Sequence, residues 1–287
     1  GMIAARLCGV KVRIHTVAGL PLMVEKGLRY QVLKITEKIT YACASQVWPN
    51  SQSLLQYIRE QHFTSDRKLK VIAKGSSNGI DTNRFHPAAL DPAKLEKIKA
   101  SLKYEEGLTY LLCIGRLVRD KGIVELVKVF TKLETARPSL RLVLVGDFEN
   151  TLDPLPSDTL NTIQQHKNII HISWTNAVEY YMQLATYFVF PSHREGFPNV
   201  VLQAGAMGRP VIASRIAGNV DIVSDQTTGL LFTCGDEKQL EEKIQYALEH
   251  PAEMKEMAEQ LQSIIQTDYR RENIWEKLRE EYERLVN

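Results

Sequence analysis

The regular alternation of short apolar segments with helical stretches constrains the fold of this 287-residue chain more than any other feature. Such alternation is typical of a parallel β-sheet whose faces are covered by helices, and it predicts an α/β fold. From residue 110 onward, strands are predicted at 110–114, 140–145, 169–172, 187–191, 210–213 and 229–232. The intervening and following helices are predicted at 123–133, 158–165, 177–184, 199–207, 237–248, 252–265 and 271–286.

A shorter series of the same kind precedes this one. Leu28, Val32, Ile35 and Ile39 recur at helical spacing and predict a helix over 25–44. The other elements predicted in this part are a helix at 51–61 and strands at 12–16, 46–49 and 70–73. A six-stranded Rossmann-type lobe needs about 150 residues, so we expect this first lobe to be partial, with three strands at most.

The segment 74–87 is dense in glycine, serine, asparagine and proline, which favours a domain boundary there. We therefore predict a partial N-terminal acceptor-side lobe at 2–77 and a complete doubly wound donor-binding lobe at 78–266. A final helix at 267–287 either crosses back to the first lobe or packs on its own domain. Both arrangements bury an amphipathic helix equally well.

Composition excludes several classes of protein. With 44% apolar and 24% charged residues, the chain has the balance of a globular domain. Its four cysteines lie far apart without a Cys-x-x-Cys pair. This spacing argues against a disulfide framework or a zinc site and favours the cytoplasm. The longest apolar runs are far too short to cross a bilayer.

Charge is unevenly distributed along the chain. Residues 1–75 carry 12 Lys and Arg against 4 Asp and Glu, whereas the whole chain has a net charge of +2. A basic first part can contact an anionic membrane surface, a phosphorylated lipid or a nucleic acid. It can equally be a solvated basic face, and charge pattern alone does not separate these readings.

The first segment with chemical character follows the predicted strand at 110–114. Gly115 permits a tight turn there, and Arg116 and Lys121 place two cations ahead of the next helix. Cations at a helix N-terminus suit a phosphate or diphosphate. The alternative is a basic helix cap on the surface.

The second such segment follows the predicted strand at 187–191. Glu195 and Gly196 lie in a turn, and Pro198 and Asn199 open a helix that carries Gln203. A carboxylate can accept hydrogen bonds from vicinal hydroxyls, and the amides of a helix start attract an anion. The alternative is a glutamate that caps a loop and an ordinary helical glutamine.

Together these segments resemble a known family. The matching pieces, in order and at family spacing, are 78–81, 115–122, 142–147, 191–199, 218–221 and 229–232. The chain from 78 to about 235 is similar to the retaining nucleotide-sugar glycosyltransferases with the GT-B fold (family 4, group 1 type). The resemblance of residues 2–75 begins in mid-lobe, which implies an N-terminally truncated first lobe.

The resemblance implies a role for each matching residue. Arg116 and Lys121, next to Gly115, are expected to hold the donor diphosphate. Glu195 and Gly196 are expected at the transferred sugar. The remaining donor contacts implied are backbone contacts from Phe197, Pro198, Asn199 and Val200, ribose contacts from Gln203, and the base near Gly146 and Trp174.

The implied reaction moves a sugar from a nucleoside diphosphate, most commonly UDP, to an acceptor hydroxyl with retention. It needs no cofactor, and we expect no metal because an Asp-x-Asp signature is absent. The expected acceptor is a glycan or lipid-linked glycan of bacterial-type surface polysaccharide assembly, at the inner membrane surface in a peripheral arrangement. A nucleic-acid partner is not expected.

Two positions depart from the family pattern. Gln203 stands where a second glutamate is usual, and Ala18 where histidine is common. Two other interpretations therefore stay open. The chain could be a non-catalytic nucleotide-sugar-binding fragment that associates with itself through the truncated lobe, or a sugar-nucleotide epimerase of related architecture.

Overall fold

The computed structural model describes residues 1–23, 25–76, 78–149 and 151–286. Ser77 and Asn287, at which two predicted domain boundaries fall, lie outside the described residues. The described chain contains a six-stranded sheet with a core on each face and a two-stranded sheet with one core. We refer to the parts built on the smaller and the larger sheet as the first lobe and the second lobe.

The second lobe is built on an all-parallel sheet in the order β5-β4-β3-β6-β7-β8. Its strands are mostly buried because helices cover both faces of the sheet. The chain adds strands first on one side of β3 and then, from β6 onward, on its other side. In sheets of this kind, ligands bind at the carboxyl ends of the strands beside this reversal. The strands are β3 Thr109–Ile114, β4 Leu140–Val145, β5 Ile169–Ile172, β6 Tyr187–Phe190, β7 Val211–Ser214 and β8 Leu230–Phe232.

Eight helices surround this sheet in the described residues, and a ninth ends the chain. Apolar side chains of these helices fill a separate core on each face of the sheet. The nine helices are α4 Pro92–Leu102, α5 Ile123–Ala136, α6 Ser157–Gln165, α7 Val178–Leu184, α8 Asn199–Ala206, α9 Asn219–Ile222, α10 Glu237–Glu249, α11 Pro251–Asp268 and α12 Arg271–Val286.

The first lobe contains two parallel strands, β1 and β2, paired from Ile14–Gln46 to Val17–Pro49. The strand predicted at 70–73 is wrong. Leu69 forms an isolated bridge with Val47, and the chain then turns, with the amide of Gly75 bonded to the carbonyl of Ile72 at 3.0 Å. This turn leaves no room for a longer ladder. The elements of the lobe are α1 Met2–Leu7, β1 Ile14–Val17, α2 Gly27–Cys43, β2 Gln46–Pro49 and α3 Gln52–Glu60.

Helix α2 is present close to its predicted bounds, but its apolar spacing does not mark the side that faces the core. The four apolar residues at helical spacing are all exposed: Leu28, Val32, Ile35 and Ile39. The helix packs on the first-lobe core through Tyr30, Leu33 and Tyr41, on its other side. The helix therefore carries apolar residues on two opposite sides.

Helix α12 lies against the first lobe. Its Tyr282 ring stands 5.3 Å from the ring of Trp48, measured between centroids, and Glu281 forms an ion pair with Lys70. At its other end, the backbone of Arg270 bridges to Ile80 beside the boundary segment. Within the described residues, no helix combines the length and the apolar character that crossing a membrane requires.

Candidate functional site

A cavity of about 520 Å³ lies between the two lobes. It opens at the carboxyl ends of β3 and β6, where the strand order of the large sheet reverses. The first lobe lines it with a largely apolar loop after β1: Ala18, Gly19, Leu20, Pro21 and Met23. The second lobe lines it with Arg116, Asp120, Lys121, His193, Arg194, Glu195, Gly196, Ile216 and Ala217.

Lys121 and Glu195, two residues of this lining, contact each other. Lys121 lies in the turn after β3 and Glu195 in the turn after β6, and their side chains form an ion pair. Both side chains are mostly buried, at 17% and 18% exposure. Ser192 also donates its hydroxyl to the Glu195 carboxylate at 3.0 Å. The two sequence segments predicted to bind donor therefore form one polar cluster.

A glycine makes this approach possible. Gly122 has φ +67°, in the left-handed region, and a Cβ atom here would overlap the carbonyl of Pro191. The segment after β3 consequently packs directly on the segment after β6. Asp120 adds two further links between these segments. Its carbonyl accepts a hydrogen bond from the His193 amide at 2.8 Å, and its carboxylate forms an ion pair with Arg194 at 2.9 Å.

Arg116 lines the same cavity, next to Lys121. It is exposed, and among the described residues no carboxylate lies within ion-pair distance of its guanidinium. Its charge is therefore available to a bound anion. The described residues contain no cluster of three or more histidine, cysteine, aspartate or glutamate side chains able to hold a metal ion.

His193 and Glu125 form a polar pair that sequence reasoning missed. The His193 ring lines the cavity, and its Nε2 lies 2.9 Å from the Glu125 carboxylate on α5. This hydrogen bond raises the pKa of His193 above its ordinary value. Burial pushes the pKa of Glu125 upward, but the hydrogen bonds from His193 and from the backbone, together with the charges of His193 and Lys128, lower it overall. No sequence signal joins the two residues, which lie far apart in the chain.

The two lobes touch at the floor of the cavity. A Cβ atom on Gly196 would overlap the carbonyl oxygen of Ala18, so the backbones of the two lobes are in direct contact. Nearby, Asp221 of α9 accepts a hydrogen bond from the Ser53 amide of α3 at 3.0 Å. The same carboxylate accepts from the Gly218 amide at 3.1 Å. Asp221 thus joins helix starts of both lobes.

The rest of the second predicted segment lies outside the cavity lining. Phe197 is buried and packs on Tyr269 with ring centroids 5.6 Å apart, because its ring points into the core. Helix α8 then carries the chain away from the cavity. The residues of this segment that do not line the cavity are Phe197, Pro198, Asn199, Val200 and Gln203. Their predicted donor contacts remain predictions.

The residues predicted to lie near the base, Gly146 and Trp174, follow β4 and β5, and Gly115, predicted beside the donor diphosphate, follows β3. Gly115 and Gly146 continue the strand ladder, with the Gly115 amide bonded to the Val145 carbonyl at 2.9 Å. Trp174 is 72% exposed, and its amide donates to Asp147 at 2.9 Å. The three residues do not line the cavity, and their contacts with the donor stay predictions.

Comparison with known proteins places this geometry in a family. The model of the family described as "Glycosyl transferases group 1" matches residues 95–264. The chain is 33% identical over 290 residues to the capsular polysaccharide biosynthesis glycosyltransferase CapM of Staphylococcus aureus, covering 98% of this chain and 73% of CapM.

A second curated relative comes from Escherichia coli and is named UDP-Gal:alpha-D-GlcNAc-diphosphoundecaprenol alpha-1,3-galactosyltransferase. It is 28% identical over 240 residues, which cover 82% of this chain and 60% of that enzyme. The chain therefore spans between about three fifths and three quarters of the length of these relatives.

Among solved structures, HepE of Anabaena in complex with UDP and glucose superposes with a TM-score of 0.80 at 19% identity. The match covers 99% of this chain and 74% of HepE. This likeness confirms the α/β, GT-B-like fold predicted from the sequence. Because one family model spans more than half of the chain and CapM is similar over nearly all of it, this chain belongs to the group 1 glycosyl transferases.

Proposed function

We propose that this glycosyltransferase moves a sugar from a UDP-sugar to a hydroxyl of a lipid-linked glycan, with retention at the anomeric carbon. The observation that carries the proposal is the convergence of Arg116, Lys121 and Glu195 on one cavity between the lobes. Two cations and a carboxylate in one cavity suit a ligand with a diphosphate next to a hydroxyl-rich sugar.

In this mechanism, Arg116 and Lys121 bind the donor diphosphate. Negative charge grows on the leaving diphosphate as the bond to the sugar breaks, and fixed cations stabilise that charge without reorganisation. Glu195 accepts hydrogen bonds from sugar hydroxyls. Its ion pair with Lys121 holds the ammonium toward the cavity, so the sugar and diphosphate subsites share one charged pair.

The choice of donor is supported by likeness to HepE, which was crystallised with UDP and glucose. Lipid-linked glycan as acceptor is supported by the Escherichia coli relative, whose name specifies a diphosphoundecaprenol acceptor, and by CapM, named for capsular polysaccharide biosynthesis. Such an acceptor brings the enzyme to a membrane surface, in line with the basic excess of residues 1–75.

The test combines donor binding and turnover. Calorimetry with UDP-, GDP- and ADP-sugars should give binding with a UDP-sugar and weaker or no binding with the others. Release of UDP should then require a polyprenyl-diphosphate saccharide acceptor. NMR of the product should show the anomeric configuration of the donor.

The other interpretations have distinct outcomes in the same assays. An epimerase would convert the donor sugar without releasing UDP. A non-catalytic binding fragment would bind UDP-sugar and show no turnover with any acceptor. An inverted anomeric centre would refute retention and leave the transferase assignment standing.

A further inference from the structure

Glu125 is a mostly buried carboxylate beside the cavity that the proposed mechanism does not use. It lies in the first turn of α5, and its side chain is 18% exposed. Its Oε1 lies 2.9 Å from Nε2 of His193, whereas its Oε2 is buried without a hydrogen-bond partner among the described residues. Burial removes water from a carboxylate, so its charge needs a partner of opposite sign. The protonated ring of His193 is placed to be that partner.

The His193 ring connects this buried charge to the cavity. Its Nε2 faces Glu125, and the residue is part of the cavity wall. Its Nδ1 has no hydrogen bond within the described part of the chain, and it is not one of the polar atoms sealed from solvent. An imidazolium donates from both nitrogens. With Nε2 bonded to Glu125, the N–H group at Nδ1 therefore remains available to a ligand.

The charges around the ring favour its protonated form. The bond to Glu125 raises the pKa of His193 above its ordinary value, and burial opposes this rise. Burial also raises the pKa of Cys234, whose thiol lies 3.9 Å from the His193 carbonyl, so this thiol stays uncharged near neutral pH. The other charged side chains that line the cavity or act on the ring are Arg116, Asp120, Lys121, Asp153, Arg194 and Glu195.

The charge balance of the cavity wall gives the protonated ring a consequence for binding. Lys121 is paired with Glu195 and Arg194 with Asp120, so each of these pairs is neutral. Among the described residues of the wall, Arg116 then contributes the excess positive charge. If His193 were neutral, the negative charge of Glu125 behind it would oppose the binding of an anion.

We propose that His193, held by Glu125, donates a hydrogen bond from Nδ1 to the diphosphate of the sugar-nucleotide donor, as a third cationic contact beside Arg116 and Lys121. This inference deepens the proposed function and rests on it. The diphosphate is the better partner because it is anionic, whereas an imidazolium gains less from a neutral sugar hydroxyl. A fixed N–H donor also stabilises the negative charge that grows on the leaving diphosphate.

The experiment is titration calorimetry between about pH 6 and about pH 8.5. The probe is the tightest binder among UDP-glucose, UDP-galactose and UDP-N-acetylglucosamine, since the diphosphate of these donors keeps the same charge over this range. The parent should bind about tenfold more weakly at the upper pH, because a hydrogen bond to a charged group is lost.

Two substitutions separate a contact with the donor from a structural link. In His193→Gln the affinity should be low throughout and independent of pH, because the titrating ring is gone. In Glu125→Gln the ring remains but loses the carboxylate that keeps it protonated, so the fall in affinity should move to lower pH. A purely structural role for the pair would not move the pH at which affinity falls.

The matched control is His166→Gln, which changes another histidine–glutamate pair of the second lobe. His166 Nε2 lies 3.8 Å from the Glu134 carboxylate, with side-chain exposures of 25% and 16%, and neither residue lines the cavity. This variant should keep the affinity and the pH dependence of the parent.

Two results would overturn the inference alone. One is normal donor binding by the parent with no dependence on pH. The other is a His193→Gln variant that loses affinity for the UDP-sugar but binds UDP like the parent at about pH 6.5, which would place the contact on the sugar. A parent that binds neither UDP nor any of the three donors would refute the proposed function, and this inference with it.

Discussion

At the scale of single residues, the ion pair of Lys121 and Glu195 is the main feature of the candidate site. Each residue follows a different strand, and each is mostly buried at the cavity wall. A charge that is fixed by a partner before the substrate arrives can stabilise a developing negative charge more effectively than a mobile one. The proposed chemistry of the site therefore depends on a contact between two residues that are 74 positions apart in the sequence.

We expect Lys121→Ala to lower turnover by about two orders of magnitude, because removing one preorganised donor costs roughly 3–4 kcal/mol in the transition state. Arg116→Ala should act in the same direction. Lys128→Ala is the matched control, since Lys128 is 60% exposed and pairs with Glu237 at the surface. Steady-state kinetics of UDP release measures the effect, and wild-type turnover in the Lys121 variant would remove the central step of the mechanism.

The His193–Glu125 pair predicts a pH-dependent contribution to stability. The pKa of His193 is raised above 6.5 by its bond to Glu125, and the pKa of Glu125 lies below 4.5. The pair therefore stabilises the folded protein fully at pH values above the ordinary pKa of glutamate and below the ordinary pKa of histidine. This stabilisation is lost as pH rises through the raised histidine pKa.

The measurement is urea unfolding of the parent and His193→Gln at about pH 5.5 and about pH 9. The stability difference should be larger at the lower pH, by less than about 1 kcal/mol because the pair is partly exposed. Glu125→Gln should remove the same pH dependence. A difference that stays constant with pH would show that the bond contributes nothing in its charged form.

At the scale of elements, helix α2 shows that apolar spacing predicts a helix without predicting which side is buried. We expect Tyr41→Ala to destabilise the protein by about 3–5 kcal/mol, since a large buried ring is lost from the first-lobe core. Val32→Ala, on the outward side of the same helix, should change stability by less than about 0.5 kcal/mol.

Thermal unfolding of both variants tests this assignment of the two sides. Similar losses at positions 41 and 32 would mean that the outward side of α2 is packed. The pair is a matched comparison because both residues lie within one helix and differ in burial, at 0% and 56% exposure.

At the scale of the whole molecule, the cavity depends on direct contact between the lobes. Gly196→Ala should force them apart, because the added methyl group would overlap the Ala18 carbonyl. We expect a larger radius of gyration in solution scattering and a fall in turnover, with UDP binding retained through Arg116 and Lys121.

Gly107→Ala serves as the control for this experiment, since a Cβ atom there meets no atom within 4 Å, although its φ of +88° adds local strain. It should leave the scattering profile unchanged. If Gly196→Ala also leaves both the profile and the turnover unchanged, then the lobes do not need this contact for catalysis.

The sequence alone determined the fold class, the strands of the second lobe and the family. These follow from local patterns: buried strands of a parallel sheet are continuously apolar, and the turns that follow them keep fixed spacing. The sequence also pointed to Arg116, Lys121 and Glu195 as candidate site residues, because each follows the carboxyl end of a predicted strand, and the structure places all three on one cavity. The predicted strand at 70–73 failed because local propensity does not show where a chain turns away from its partner.

Only the tertiary structure decided how these parts meet. The His193–Glu125 bond, the contact of Gly196 with Ala18 and the outward orientation of α2 all join or separate residues by packing, and no local pattern encodes them. Two sides of α2 carry apolar residues, so sequence periodicity could not select the buried one. Burial is set by what the rest of the fold brings against a surface.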